Sequence, residues 1–216
     1  TEALFEPPPE SDDLFAKADW FAPQLQAIRE GGQYFYRRAL AGPPGRTARV
    51  LDPETGAARD MLLFSSNSYL GLSTHPKVVE ASRAAAEKYG YGTGSVALMS
   101  GTTDLHLELE EKIARFYTCE AACVFPTGYQ ANVGTIQALV TSRDVILADL
   151  YAHASLVDGA QLSDGTLKYF LHNDLANLES LLKRAGKHFR GKLIVTDGVF
   201  SMDGDIAPLP ELIPVC

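Results

Sequence analysis

The 216-residue sequence has no apolar run of the 18 or more residues that a membrane helix needs, and no basic-then-apolar leader near its first residue. Neither a membrane span nor a signal peptide is therefore expected. Cysteine is scarce: Cys119, Cys123 and Cys216 form no CxxC pair and no even framework, and no His or Cys pair follows at metal-ligand spacing. A disulfide scaffold is excluded, a zinc site is not supported, and a reducing cytoplasm fits best. Positive charge is in deficit, with 19 Lys and Arg against 27 Asp and Glu and a net charge of −8. Broad binding to nucleic acid or anionic membrane, which needs clustered Lys and Arg, is not expected. Several motifs are also missing. No GxSxG elbow exists, which argues against a Ser-His-Asp hydrolase. Gly90-Tyr91-Gly92-Thr93-Gly94-Ser95 lacks the third glycine of a dinucleotide fingerprint, and Gly186 to Lys192 satisfies GxxxxGK but continues with Leu193 in place of Ser or Thr. Asp203 and Asp205 do not continue into the alternating acids and closing Glu of a calcium loop, and are read as capping or turning the backbone.

What is present is ordinary for a globular domain: 46% hydrophobic and 21% charged residues. Residues 1–12, with Pro7-Pro8-Pro9, read as an extended tail. From 13 to 40 the pattern is helical, broken at Pro23 and stopped by Gly31-Gly32. Residues 49–51 and 61–64 read as a hairpin joined over 52–56. Pro76 begins a helix to Lys88, and Asp104 caps another to Tyr117, with Leu105, Leu109, Ile113 and Phe116 on one face. Strand and helix signals then alternate: strand 122–125, helix 129–140, strand 145–148, a helix after His153, strand 167–170, helix 174–185 and strand 192–196. This α/β pattern predicts a mostly parallel sheet covered by helices. Two parts are expected: an N-terminal arm over 1–65 with a helix and a hairpin, and a larger β-α portion over 66–216. The last residues, Ala207 to Cys216, read as the opening of a further helix, and the chain as the front half of a larger protein.

Chemistry is expected where strands end and helices begin. Thr127-Gly128-Tyr129 follows strand 122–125 and opens a helix, where free amides and the helix dipole favour a phosphate. Gly128 permits close approach of a phosphate to the backbone. His153 opens a helix just beyond strand 145–148, at the end of the sheet where open α/β folds bind ligands. Asp197 and Ser201 lie just past strand 192–196. His172-Asn173 reads only as the start of a helix, and His106 carries no assignable chemistry.

These segments, Asn67-Ser68-Tyr69-Leu70-Gly71-Leu72, Thr127-Gly128-Tyr129-Gln130-Ala131-Asn132, Ala152-His153-Ala154-Ser155 with Asp158-Gly159, and Asp197-Gly198-Val199-Phe200-Ser201-Met202-Asp203-Gly204, together resemble the α-oxoamine synthases over 67–210. That family consists of pyridoxal 5'-phosphate (PLP) enzymes with an aminotransferase-like (fold type I) large domain. They join an amino acid to an acyl thioester, from acyl-CoA or an acyl-carrier protein, with loss of CO2. The resemblance implies PLP as cofactor and a homodimer. It places His153 flat against the pyridine ring as the catalytic histidine and Ser201 on the phenolic oxygen. Asp197 falls behind the ring or under its loop, and Thr127, Gly128 and Tyr129 at the phosphate. Asn67 and Tyr69 fall near the amino-acid substrate. It also puts the family's Schiff-base lysine, and the acid paired with the pyridine nitrogen, beyond the point matching Cys216, so the chain is not expected to be catalytic alone.

Within the family, Phe116-Tyr117 and Gly204-Asp205-Ile206-Ala207-Pro208-Leu209 point first to serine palmitoyltransferases and so to sphingolipid synthesis. Ser95-Val96 and the 197–204 segment are shared with glycine C-acetyltransferases, although these tend to carry Arg at the position of Ala97. Amino-oxononanoate synthase is the third candidate, which leaves serine, glycine or alanine as the amino acid. A non-catalytic partner subunit and a plain binding module are the alternatives outside catalysis.

Overall fold

The structure, a computed structural model, describes residues 10–13, 15–32, 37–52, 55–186 and 188–216. Most of the expected 1–12 tail and part of the 52–56 turn lie outside them. The chain divides into two compact units, Thr1–Thr93 and Gly94–Cys216.

In the first unit, helix α1 (Ala16–Glu30) runs through Pro23, where a break was expected. Proline removes one helical N–H, but no residue of α1 is buried, so water can satisfy the carbonyl left without a donor. The helix stops as expected: the Gly31 amide bonds Ala27, and Gly32 turns to φ +67°. Strands β1 (Thr47–Leu51) and β2 (Ala58–Leu62) form the expected hairpin, antiparallel, with Leu51 opposite Ala58. Asp52 sets its turn: its amide donates to the Ala57 carbonyl (2.8 Å) and its carboxylate accepts from the Thr55 amide (3.0 Å). Helix α2 (Pro76–Tyr89) begins with Pro76 in its first turn and is capped by His75 Nδ1, which accepts from the Lys77 amide (3.3 Å).

The second unit carries α3 (Asp104–Tyr117), α4 (Gly128–Leu139), β3 (Val145–Asp149), α5 (Ala154–Gln161), β4 (Thr166–Phe170), α6 (Leu175–Ala185), β5 (Lys192–Val195) and α7 (Leu209–Val215). The cap of α3 is Thr103, not Asp104: His106 Nδ1 accepts from the Thr103 amide (3.1 Å) and lies 2.8 Å from its hydroxyl. His106 thus takes the place that Glu or Gln holds in a capping box. The expected strand at 122–125 is not formed. A strand exists through its ladder, and the Val124 amide donates instead to Glu110 Oε1 (3.1 Å). On α3 only Ala114 is buried, and Leu105, Leu109 and Phe116 are exposed.

The sheet is parallel, in the order β4-β3-β5. All five residues of β3 are buried, and their alternation feeds two cores. Ile146 and Ala148 pack with Ile136 of α4, Val140 just after it, and Ala160 of α5. Val145 and Leu147 pack with Phe170, Leu178 and Ala185 of the α6 side, and with Leu212 of α7. Helices therefore cover both faces, as a parallel sheet requires. Helix α5 can approach α4 closely because Gly159 lacks a side chain; a Cβ there would lie 3.1 Å from Val133 Cα and 3.2 Å from the Asn132 carbonyl. At the far end of β3, Asp144 accepts from the Thr141 amide (2.8 Å), the Thr141 hydroxyl (2.6 Å) and the Gly191 amide (2.7 Å), tying the starts of β3 and β5 together. These bonds, first those from Thr141, hold its carboxyl below the usual range. Among the described residues no helix is long and apolar enough to cross a membrane.

Leu178 is fully buried against β3. Leu178→Ala is expected to lower stability by about 3 kcal/mol, the usual cost of an unfilled core site, read as a shift of the urea midpoint with an unchanged slope.

Candidate functional site

From β3 the chain passes through α5, against the core of Ile146 and Ala148, to β4 on one side. After β5, on the other side, it leads to α7 on the opposite face. The carboxyl ends of β3 and β5 thus lie side by side while their connections leave to opposite faces. Such a switch point opens a crevice, and ligands of open α/β sheets bind there.

A cavity of about 560 Å³ lies at these ends, lined by Tyr151 to Ala154 from beyond β3 and by Asp197 and Val199 to Asp203 from beyond β5. Its volume is in the range of roughly 300–1,000 Å³ typical of small-molecule sites. His153, Asp197 and Ser201, three of the residues picked from sequence, therefore meet in one place. Asp197 joins the two loops: its Oδ2 accepts from the His153 amide (2.7 Å).

His153 is the N-cap of α5. The Ser155 amide donates to its Nδ1 (3.1 Å), and the Ser155 hydroxyl lies 2.7 Å from the same nitrogen. An amide can only donate, so Nδ1 is an acceptor and the neutral ring carries its proton on Nε2. Asn132 Nδ2 donates to the Ser155 hydroxyl (2.9 Å), which leaves that hydroxyl's proton for Nδ1. A chain of hydrogen bonds from α4 thus fixes the tautomer of His153, with Nε2–H unclaimed by any described residue.

Thr127, Gly128 and Tyr129 do not line this cavity, but they open α4, whose first turns are bonded to α5. Besides the Asn132–Ser155 bond, the Tyr129 hydroxyl donates to Asp158 Oδ2 (2.9 Å), which pushes the Tyr129 hydroxyl above its ordinary pKa. The Thr127 hydroxyl caps α4 by accepting from the Gln130 amide (3.1 Å). The Gly128 and Tyr129 amides, at the positive end of the helix dipole, meet no acceptor among the described residues. A Cβ built on Gly128 would meet nothing within 4 Å. Asn67 and Tyr69 belong to the first unit. Both are exposed, and Tyr69 lines a different cavity, of about 450 Å³, with Arg46, Phe64 and Ser66.

One group at the carboxyl ends of the strands has no motif that marks it. His172 lies between two carboxylates, its Nδ1 2.9 Å from Asp149 and its Nε2 2.7 Å from Asp205. Asp205, expected to cap or turn the backbone, therefore holds a side chain 33 residues away. The only local signal was an unusual pairing of His and Asn before a helix.

Comparison with known proteins bears on this geometry. The sequence profile described as "Aminotransferase class I and II" matches residues 59–215. An 8-amino-7-oxononanoate synthase from Geobacter sulfurreducens is 48% identical over 195 residues, covering 89% of this chain and 47% of that protein. The human mitochondrial 2-amino-3-ketobutyrate coenzyme A ligase is 43% identical, covering 88% of this chain and 44% of that protein. A serine palmitoyltransferase from S. paucimobilis, solved with PLP and myriocin bound, superposes with a TM-score of 0.85 at 33% identity, over 94% of this chain and 50% of that one. The chain thus spans about half the length of the relatives it matches. The α/β sheet, the switch-point cavity and this profile agree: the chain belongs to the aminotransferase class I and II family.

Proposed function

We propose that this chain supplies one half of a PLP-dependent C-acyltransferase that condenses a small amino acid with an acyl thioester, with decarboxylation, to an α-aminoketone. The observation that carries the reading is the meeting of His153, Asp197 and Ser201 at the β3–β5 switch point. The site suits PLP chemically. Two unclaimed amides at the start of α4, with open space beside Gly128, would hold the phosphate. The Ser201 hydroxyl would donate to the phenolic oxygen, and the His153 ring would lie against the pyridine. PLP, when bound, supplies an electron sink for a carbanion at the amino acid's α-carbon.

The chain's own residues would do the rest. Asp197 fixes the backbone of His153. Asn132 and Ser155 keep Nδ1 as an acceptor, so Nε2–H is the donor offered to a substrate carboxylate. Val199, Phe200 and Met202 supply apolar residues to the cavity lining. Asn67 and Tyr69 are proposed to act at the amino-acid substrate. The arm over 1–65 would precede the front of a PLP-binding large domain over 66–216. A homodimer fits the exposed apolar side chains Leu98, Met99 and Phe116, and three free cysteines fit a reducing cytoplasm.

The amino acid is serine, glycine or alanine, joined to an acyl group from CoA or a carrier protein. Identities of 48% to an 8-amino-7-oxononanoate synthase and 43% to a 2-amino-3-ketobutyrate coenzyme A ligase favour these two kinds of reaction over sphingolipid synthesis. A panel of the three amino acids against short, dicarboxylic and long-chain acyl thioesters, read by CO2 and thiol release, tests this. Turnover of one pair with equal CO2 and thiol supports the reading, and thiol release without CO2 contradicts it.

Two substitutions probe the site. His153→Ala is expected to cut turnover by more than about tenfold and to shift the absorbance of bound PLP, the scale of a lost positioning group. Gly128→Val, which the fold itself accommodates, is expected to weaken PLP affinity far more than Tyr129→Phe, which removes only the bond to Asp158. Titration with PLP measures both, and equal effects would contradict a phosphate site at the start of α4.

A further inference from the structure

His172 has a bonding pattern that a helix start does not require. A carboxylate can only accept, and the two that face the ring are otherwise engaged. Asp149 is fully buried and also accepts from the Tyr151 amide (2.8 Å) and the Asn173 amide (3.0 Å). Asp205 Oδ2 also accepts from Asn173 Nδ2 (2.8 Å). With both carboxyls ionised, each ring nitrogen donates to one of them and the ring is an imidazolium; Asn173 Nδ2 lies 3.2 Å from Nε2 and donates to Asp205 Oδ2 at the shorter 2.8 Å. Asn173 adopts φ +55°, a left-handed conformation that Asn tolerates, which brings its amide to one carboxylate and its side chain to the other.

The ring also packs against the cavity wall. Tyr151 stacks on it (centroids 4.5 Å apart, planes at 20°), and Phe200 meets it edge-on (4.4 Å, 89°). Both residues are among those that line the 560 Å³ cavity. Phe200 precedes Ser201, and Asp205 closes the same loop: the Phe200 amide donates to the Asp205 carbonyl (2.9 Å) and the Gly204 amide to the Phe200 carbonyl (2.8 Å). Asp149 ends β3, four positions before His153. One cation thus fastens the segment carrying His153 to the loop carrying Ser201.

We propose that His172 is a positioning residue, whose imidazolium, clasped between Asp149 and Asp205, holds the Ser201 loop in the arrangement that the cofactor needs. The proposal rests on the PLP reading above and adds a residue and a pH dependence to it. The titratable groups facing the ring are Asp149 from β3, Asp205 from the loop after β5 and Tyr151 from the segment after β3. Its own turn contributes the neutral Asn173. The hydrogen bond to Asp149, and after it that to Asp205, raise the ring's pKa above the ordinary 6.5, against partial burial that lowers it. A raised folded-state pKa means that the clasp is fully present below about pH 6.5 and is lost as pH rises through the raised value.

The test uses the full-length protein. In His172→Gln, which keeps one hydrogen bond and loses the charge, the Kd for PLP is expected to rise about tenfold at pH 6.5, the scale of a lost charged hydrogen bond. The ratio of variant to wild-type Kd should fall toward one as pH rises through the pKa of His172. In a Ser201→Ala background the same substitution should add less than about twofold, because the residue acts through Ser201. Asp205→Asn, which keeps the shape, should give a smaller effect in the same direction and serves if His172→Gln does not fold. Histidine-selective nitrogen NMR of the PLP-free protein reads the clasp itself, with both His172 nitrogens protonated below a midpoint that lies above the ordinary 6.5. A His172 that is mostly neutral at pH 6.5, or an effect that is independent of pH and additive with Ser201→Ala, overturns the proposal. A wild-type protein that binds no PLP overturns the functional reading with it, whereas a ring mostly neutral at pH 6.5 in a PLP-binding protein overturns this proposal alone.

Discussion

Strand β3 is the constraint on which the rest of the second unit depends. Its five residues are all buried, so each face must be covered, and the alternation of Val145 and Leu147 with Ile146 and Ala148 assigns α6 and α7 to one face and α4 and α5 to the other. That division forces the connections after β3 and β5 to leave in opposite directions. The crevice between them is a consequence of the packing, and Asp149 is fully buried where β3 ends, just before the residues that line it. A buried carboxylate is costly unless its lone pairs are filled, and three donors fill these: the Tyr151 amide, the Asn173 amide and the His172 ring.

The same economy recurs around His153. Its ring is set by Ser155 and Asn132, its backbone by Asp197, and each partner comes from a different element. Such a ring is held before any ligand arrives, which is how an active site avoids the entropy cost of organising itself during a reaction. Glycine at 159 belongs to this arrangement, because the closeness of α4 and α5 that it permits is what lets Asn132 reach Ser155.

Much of this was legible in the sequence because it is local. Apolar strands followed by capped helices mark the β-α units, and a histidine just past a buried strand is placed by that pattern alone. What could not be read depends on partners far along the chain. His172 finds its carboxylates 23 and 33 residues away, and only the parallel register brings them to one ring. Residues 122–125 have strand composition but no ladder among the described residues, and composition cannot supply a neighbour. Pro23 shows the reverse case, where a local breaker is overruled because an exposed helix can leave a carbonyl to water. His106 accepts from the amide of the cap residue Thr103, where the usual residue is Glu or Gln, a substitution that the capping pattern does not anticipate.

The central claim is that the β3–β5 crevice is the cofactor site. A crystal structure of the full-length protein grown with PLP tests it most directly. The account predicts the pyridine ring in the cavity lined by Tyr151, His153, Asp197 and Ser201, against the His153 ring, with Ser201 Oγ about 2.7 Å from the phenolic oxygen and the phosphate on the Gly128 and Tyr129 amides. PLP bound elsewhere, or ordered in the crevice without contact to either His153 or Ser201, would contradict it.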